Sequence, residues 1–182
     1  MARNWLSIRV ELVSGCGVEY WPWPDRVFAA SRTHSFGQLA DAIDTAFARW
    51  DLAHLHMFTL ADGTEVTGLD EWGADAPDGC VDSAKATLDR LAPGEQFAYL
   101  FDIGEDWSHL CTVAARRVDP RDELGFVPQQ PVPYFGWGDL PDQYGRSWDS
   151  DDGRSRQPKR PANPLTALPP LLPWWGPRRG RR

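Results

Sequence analysis

The sequence predicts an α+β domain: a mixed or antiparallel β-sheet, one main amphipathic helix packed on one face, and a long C-terminal loop. Three observations carry this reading. From Trp5 to Val13 apolar and polar side chains alternate, with Leu6, Ile8, Val10 and Leu12 on one side and Ser7, Arg9 and Glu11 on the other, the period of a half-buried strand. Phe36, Leu39, Ile43 and Phe47 recur at helical spacing. Sixteen glycines and sixteen prolines in 182 residues divide the remainder into short strands and turns. That length suits one hydrophobic core rather than two.

In chain order, Ser14-Gly-Cys-Gly17 ends the first strand. Trp21-Pro-Trp-Pro24 makes an extended aromatic corner, since a residue before proline is pushed out of the α region. Arg26 to Ala30 is a second strand. Ser35 is an N-cap with Gln38 completing a capping box. The helix it starts runs to near Trp50, with Asp41, Asp44 and Arg49 pointing away from its apolar face. His54-Leu-His-Met-Phe-Thr-Leu60 is apolar on both faces and reads as a central strand, closed by Asp62-Gly63. Residues 64–81 read as an irregular acidic excursion and Ser83 to Leu91 as a short helix, stopped by Pro93-Gly94. Strands Gln96–Asp102 and Trp107–Val118 flank an acidic turn centred on Gly104. Tyr134 to Trp148 is too aromatic for free solution and is expected to pack back as a loop without regular structure.

Charge divides the chain. Residues 1–152 hold all 26 acids and eleven Lys and Arg, a net of −15, whereas residues 153–182 hold eight Lys and Arg and no acid, a net of +8. The expected organisation is therefore a domain over 1–152 and a disordered, basic, Pro/Arg-rich tail over 153–182. The acidic body does not suit a nucleic-acid surface; the tail allows weak contact with phosphate. Within the tail, Leu168-Pro-Pro-Leu-Leu-Pro-Trp-Trp175 has polyproline character. No apolar run is long enough for a membrane span, and the N-terminus lacks the apolar stretch of a signal peptide, so a cytoplasmic location is expected. Cys16, Cys80 and Cys111 are odd in number and far apart. This spacing argues for free buried thiols rather than a disulfide framework or a zinc knot.

Two motifs together resemble the plasmid pRiA4b ORF-3-like family: Arg49-Trp-Asp-Leu-Ala-His-Leu-His-Met-Phe58, and Phe101-Asp-Ile-Gly-Glu-Asp-Trp-Ser-His109 preceded by Phe97-Ala-Tyr99. The family pattern is close to Gly-Trp-x-x-x-His-Leu-His-x-Phe and Tyr-x-Tyr-Asp-Phe-Gly-Asp-x-Trp-x-His, so Arg49 stands where the family has glycine. The resemblance spans roughly residues 5–148 and implies a compact α+β fold, an origin on plasmids or transposons and an uncharacterised function. Some members carry the label of a resolvase. A serine recombinase needs a nucleophilic serine among arginines and a DNA-reading helix-turn-helix, and this sequence offers neither.

The candidate polar centre is His54, His56, Asp102, Asp106 and His109. Two histidines two apart on a strand face the same way, their Cα atoms roughly 6.5–7 Å apart. With a carboxylate such as Asp106 they make a possible, if unspecific, divalent-metal shell that could activate water for hydrolysis. No cofactor is otherwise expected, and no Gly-x-Ser-x-Gly elbow or phosphate-binding Gly-x-x-x-x-Gly-Lys loop is present. The same residues also make sense without metal, as a turn whose aspartates accept backbone N–H bonds above a buried Trp107. An even loop would pair Asp102 with Trp107; an odd loop would pair Asp102 with Asp106 and set His109 beside Tyr99 and Phe101. The leading functional expectation is a non-enzymatic binding or accessory module for an unidentified protein or small ligand. Its contact rim would be Trp21, Trp23, Trp137, Tyr144 and Trp148, with a metal-dependent hydrolase as the alternative.

Overall fold

The computed structural model describes residues 4–138, 140, 141 and 143. Tyr144, Trp148 and the basic tail lie outside them. Nine strands form one mixed sheet: β1 (Trp5–Gly15), β2 (Val18–Glu19), β3 (Asp25–Ser31), β4 (His56–Thr59), β5 (Glu65–Thr67), β6 (Val81–Asp82), β7 (Gln96–Phe101), β8 (Trp107–Val113) and β9 (Val132–Trp137). The order is β6-β5-β4-β7-β8-β1-β3-β9, with β2 pairing β1 as a short hairpin. Every pairing is antiparallel except β5 with β6.

One face of this sheet is covered by α1 (Phe36–Ala46). The capping box forms as the sequence predicts: Ser35 Oγ accepts from Gln38 N at 3.1 Å and Gln38 Oε1 from Ser35 N at 2.9 Å. Phe36, Leu39, Ile43 and Phe47 are fully buried against Phe58, Phe97 and Tyr99, and each such side chain contributes roughly 1.5–3 kcal/mol of burial. The helix ends a turn before Trp50. The N–H of Ala48 donates to Thr45 O at 3.2 Å and that of Arg49 to Asp44 O at 2.8 Å, the paired bonds of a Schellman closure. Ala48 takes the left-handed position, φ +64°, where glycine is usual. The closure turns Arg49 inward, and Arg49 is buried.

Several expectations need correction. Asp44 does not point away from the core: it is buried, because it lies four residues after Ala40 and eight after Phe36, on the inward stripe itself. β4 starts at His56, not His54, and only its His56 and Phe58 side is buried. The excursion over 64–81 is partly regular, with β5 and α2 (Leu69–Trp72). Ser83 to Leu91 contains only a 3-10 turn, Leu88–Arg90. The second strand of the acidic hairpin stops at Val113. A third short helix, α3 (Pro120–Leu124), capped by Asp119, precedes β9. The segment expected to lack regular structure supplies β9, the edge strand beside β3. Alternating proline at 131 and 133 hides it, and edge strands tolerate proline. Of the three free cysteines, only Cys111 is buried.

Candidate functional site

The turn between β7 and β8 fixes the site. Phe101 pairs with Trp107 and Tyr99 with His109, so the loop is five residues long and the odd register is the one formed. Trp107, His109, Tyr99 and Phe101 therefore all face the core. Gly104 is not the residue that bends the chain. Asp102 and Asp106 hold the left-handed conformation, φ +54° and +53°, which costs a non-glycine residue about 1 kcal/mol or more. Asp102 holds the turn together: its carbonyl accepts the N–H of Asp106 at 2.8 Å and of Glu105 at 3.1 Å, and its Oδ1 that of Gly104 at 3.2 Å. Asp106 Oδ1 accepts from Ser108 Oγ at 2.8 Å.

The five predicted polar residues do not gather in one place. His54 is half-buried in the loop before β4, with Nδ1 3.3 Å from Asp102 Oδ2 and Nε2 3.3 Å from Asp51 Oδ2. His56 enters a different network: Nδ1 lies 3.3 Å from Glu71 Oε2 and Nε2 3.2 Å from Ser83 Oγ. Burial holds its pKa below the usual value. His109 sits across the core, Nδ1 3.3 Å from Tyr99 O. Among the described residues no three His, Cys, Asp or Glu side chains are placed to hold a metal ion. The two-residue spacing of His54 and His56 fails as a chelate because only His56 is on the strand.

Ser83, His56 and Glu71 follow the order of a hydrolytic triad, and nothing in the sequence marks them. Yet Ser83 is buried, its N–H is given to Thr67 O at 2.7 Å, and the nearby Gly37 N–H goes to Ser83 O at 2.8 Å. No backbone donor of this pair remains to stabilise an oxyanion. The network instead ties β4 to the start of α1. A groove of about 290 Å³ between α1 and β9, with Asp41 as its one charged lining residue, is separate from all these groups.

A second polar network runs beneath the acidic turn. Tyr99 O–H donates to Asp44 Oδ1 at 2.8 Å, both groups buried. The Arg49 guanidinium lies 3.5 Å from the centroid of the Trp107 ring, and Tyr20 stacks parallel to that ring at 6.3 Å. Burial lifts the Asp44 carboxyl to about 8, depresses Arg49 to about 10, and, with Arg49 adding to it, depresses His109 to about 3. At neutral pH Arg49 is thus the one charge among these three. Among the described residues none of its three guanidinium nitrogens has a hydrogen-bond partner, nor do Trp107 Nε1 and His109 Nε2. In the contact with the Tyr99 carbonyl, His109 Nδ1 is the donor. Orphaned groups in such number are unusual in a folded interior, and cation–π contact offsets only about 2 kcal/mol of a buried charge.

These features converge on one end of the sheet. The turn after β1 meets the acidic turn through Cys16 N–H to Glu105 O at 2.7 Å, and Asp102 N–H reaches Leu55 O at 2.9 Å. Gln143, fully buried, straps the same end: Oε1 accepts from Trp50 N and Asp51 N at 2.9 and 3.0 Å, and Nε2 donates to Asp51 O at 2.9 Å. All four non-glycine left-handed residues among the described residues are here: Cys16, Ala48, Asp102 and Asp106. So are five of the six exposed large apolar side chains among the described residues, Val18, Trp21, Trp50, Leu52 and Ile103. Of the expected aromatic rim, Trp21 is 81 % exposed and meets Trp23 edge to face at 5.5 Å, while Trp23 and Trp137 are half-buried. Tyr144 and Trp148 fall outside the described residues.

The fold defines an α+β domain, mostly sheet with few helices. Its sequence matches the family profile described as plasmid pRiA4b ORF-3-like protein over residues 19–129, and the chain belongs to that family. Comparison with curated proteins gives no match. Among solved structures it is similar to a crystal structure of a protein of unknown function from Methanosarcina mazei Go1, with 19 % identity and a TM-score of 0.55, covering 73 % of this chain and 69 % of that one. At that identity the likeness concerns the fold. No helix among the described residues is long and apolar enough to cross a membrane.

Proposed function

We propose that this domain is a non-enzymatic binding module of plasmid or transposon origin, acting in the cytoplasm, and that the loop end of the sheet is its contact surface. The observation that carries the reading is that exposed Val18, Trp21, Trp50, Leu52 and Ile103 lie in connections at one end of the sheet that the domain's own hydrogen bonds hold together. Exposed apolar side chains scattered singly mean little; these five share one end of the sheet, and the reading takes them as parts of one contact surface. Backbone strain in the same loops is consistent with a surface kept for recognition rather than stability. Residues 16–21, 50–55 and 102–106 contain Glu19, Asp51, Asp102, Glu105 and Asp106 and no Lys or Arg. The partner that fits is accordingly a protein segment rich in basic and apolar residues.

The test is a peptide array of basic–apolar and acidic–apolar sequences probed with the full-length protein and with Trp21→Ala and Leu52→Ala. Both side chains are exposed, so both variants should melt near the parent. The proposal expects basic–apolar peptides to bind and both variants to lose them. Binding that ignores both substitutions, or that favours acidic peptides, would overturn it.

A further inference from the structure

Resting on that reading, we infer that the loop end is occupied in cis by the chain's own basic, proline-rich segment, residues 153–182. Gln143 is the last described residue, and it is anchored at this end by its bonds to Trp50 and Asp51 and by its carbonyl, which accepts from Cys16 Sγ at 3.3 Å. Gln143 therefore sits at the rim itself. Twenty-four residues lie between Gln143 and Leu168, and the root-mean-square reach of a chain of that length is roughly 25–30 Å, enough to return to any part of the loop end.

The chemistry matches on both counts. Besides the buried Asp102, the rim loops carry four carboxylates, Glu19, Asp51, Glu105 and Asp106, and no Lys or Arg, while residues 153–182 carry eight Lys and Arg and no acid. Leu168-Pro-Pro-Leu-Leu-Pro-Trp-Trp175 adds apolar side chains in a proline-rich sequence of the kind that aromatic-lined surfaces commonly receive. The exposed Trp21, packed edge to face on Trp23, is such a surface. A tether of this length supplies an effective concentration on the order of millimolar, so even a weak intrinsic affinity fills the site. The consequence is regulatory: an external basic–apolar partner must displace the chain's own segment.

The experiment uses the full chain. In a Cys16→Ser, Cys80→Ser background, with Cys111 buried and unreactive, Ala167→Cys receives a nitroxide, and amide signals are compared before and after its reduction. The inference expects loss of intensity at Val18, Leu52 and Ile103, none at Gly63 and Gly94 on the opposite end, and recovery in 1 M salt, where the Debye length is about 3 Å. Glu105→Lys with Asp106→Lys should abolish the same loss. Uniform broadening, or none, would overturn the inference. Adding a peptide of residues 165–182 in trans separates the two ideas. If it shifts rim signals while the tethered segment does not broaden them, docking in cis fails and the binding surface stands. If neither occurs, both fail.

Discussion

Asp44→Asn tests whether the buried carboxyl beside Tyr99 carries a proton at neutral pH. Its folded pKa, about 8, lies above the ordinary 3.8, so the folded state holds the extra proton throughout that interval. Stability contributed by the group is present at low pH and falls as pH rises towards 8. Asparagine keeps an oxygen to accept the Tyr99 hydroxyl but cannot ionise. Any fixed packing cost of the new amide is the same at every pH, so it cancels when two pH values are compared. The stability of Asp44→Asn relative to the parent should therefore improve by about 3–4 kcal/mol between pH 5 and pH 8. Buried His109 acts in the opposite direction below pH 6.5, its folded pKa being about 3; it is common to both proteins and also cancels. Urea unfolding followed by circular dichroism at the two pH values measures the difference. A difference that does not change with pH would mean that Asp44 is ionised in the fold and paired with Arg49, and the electrostatic account would be wrong.

Gly15→Ala should destabilise by about 3 kcal/mol, because an added Cβ would sit 2.1 Å from the Trp107 ring; a variant that melts with the parent would place that ring elsewhere. Ala48→Gly should raise stability by about 1 kcal/mol, read as a higher urea midpoint, since Ala48 holds φ +64° in the closure of α1. Arg49→Met should be neutral or stabilising by about 1–3 kcal/mol, because it replaces a buried guanidinium that makes no hydrogen bond among the described residues. A large loss of stability in that variant would show that Arg49 is satisfied by water or another group inside the protein.

The local rules were legible wherever one residue's chemistry decided the outcome. Ser35 with Gln38 announces the start of α1, and the alternation from Leu6 to Leu12 announces β1 and its buried side. The hairpin at 102–106 was legible as a hairpin, but its register was not, because the left-handed positions fell on two aspartates rather than on Gly104. Asp44 and Arg49 were misplaced for one reason: a charged residue was read as outward even where spacing put it inward. Asp44 obeys the stripe of Phe36 and Ala40, so spacing alone would have found it; Arg49 is turned in by a Schellman closure that no glycine marks. The joining of Ser83 and Glu71 to His56 depends on β4–β5–β6 pairing, a long-range arrangement that spacing does not encode. β9 was hidden by Pro133 within it and Pro131 just before it, which only an edge strand tolerates.

The loop end concentrates features that a stability optimum would remove. Glycine at 48 or 106 would relax the backbone, an apolar residue at 49 would remove an unpaired charge, and polar residues at 21, 52 and 103 would lower exposed apolar surface. Elsewhere the domain follows ordinary folding logic: α1 is capped and the sheet core from Phe58 to Val113 is filled. Faults distributed by chance would not share one end of one sheet. Their coincidence separates a site from a weak fold. If the stabilising Ala48→Gly and Arg49→Met substitutions also weaken peptide binding, the strained loops and the buried cation belong to the recognition surface. If they stabilise and leave binding unchanged, the surface reduces to its exposed rim of Trp21, Leu52 and Ile103 and the carboxylates around them.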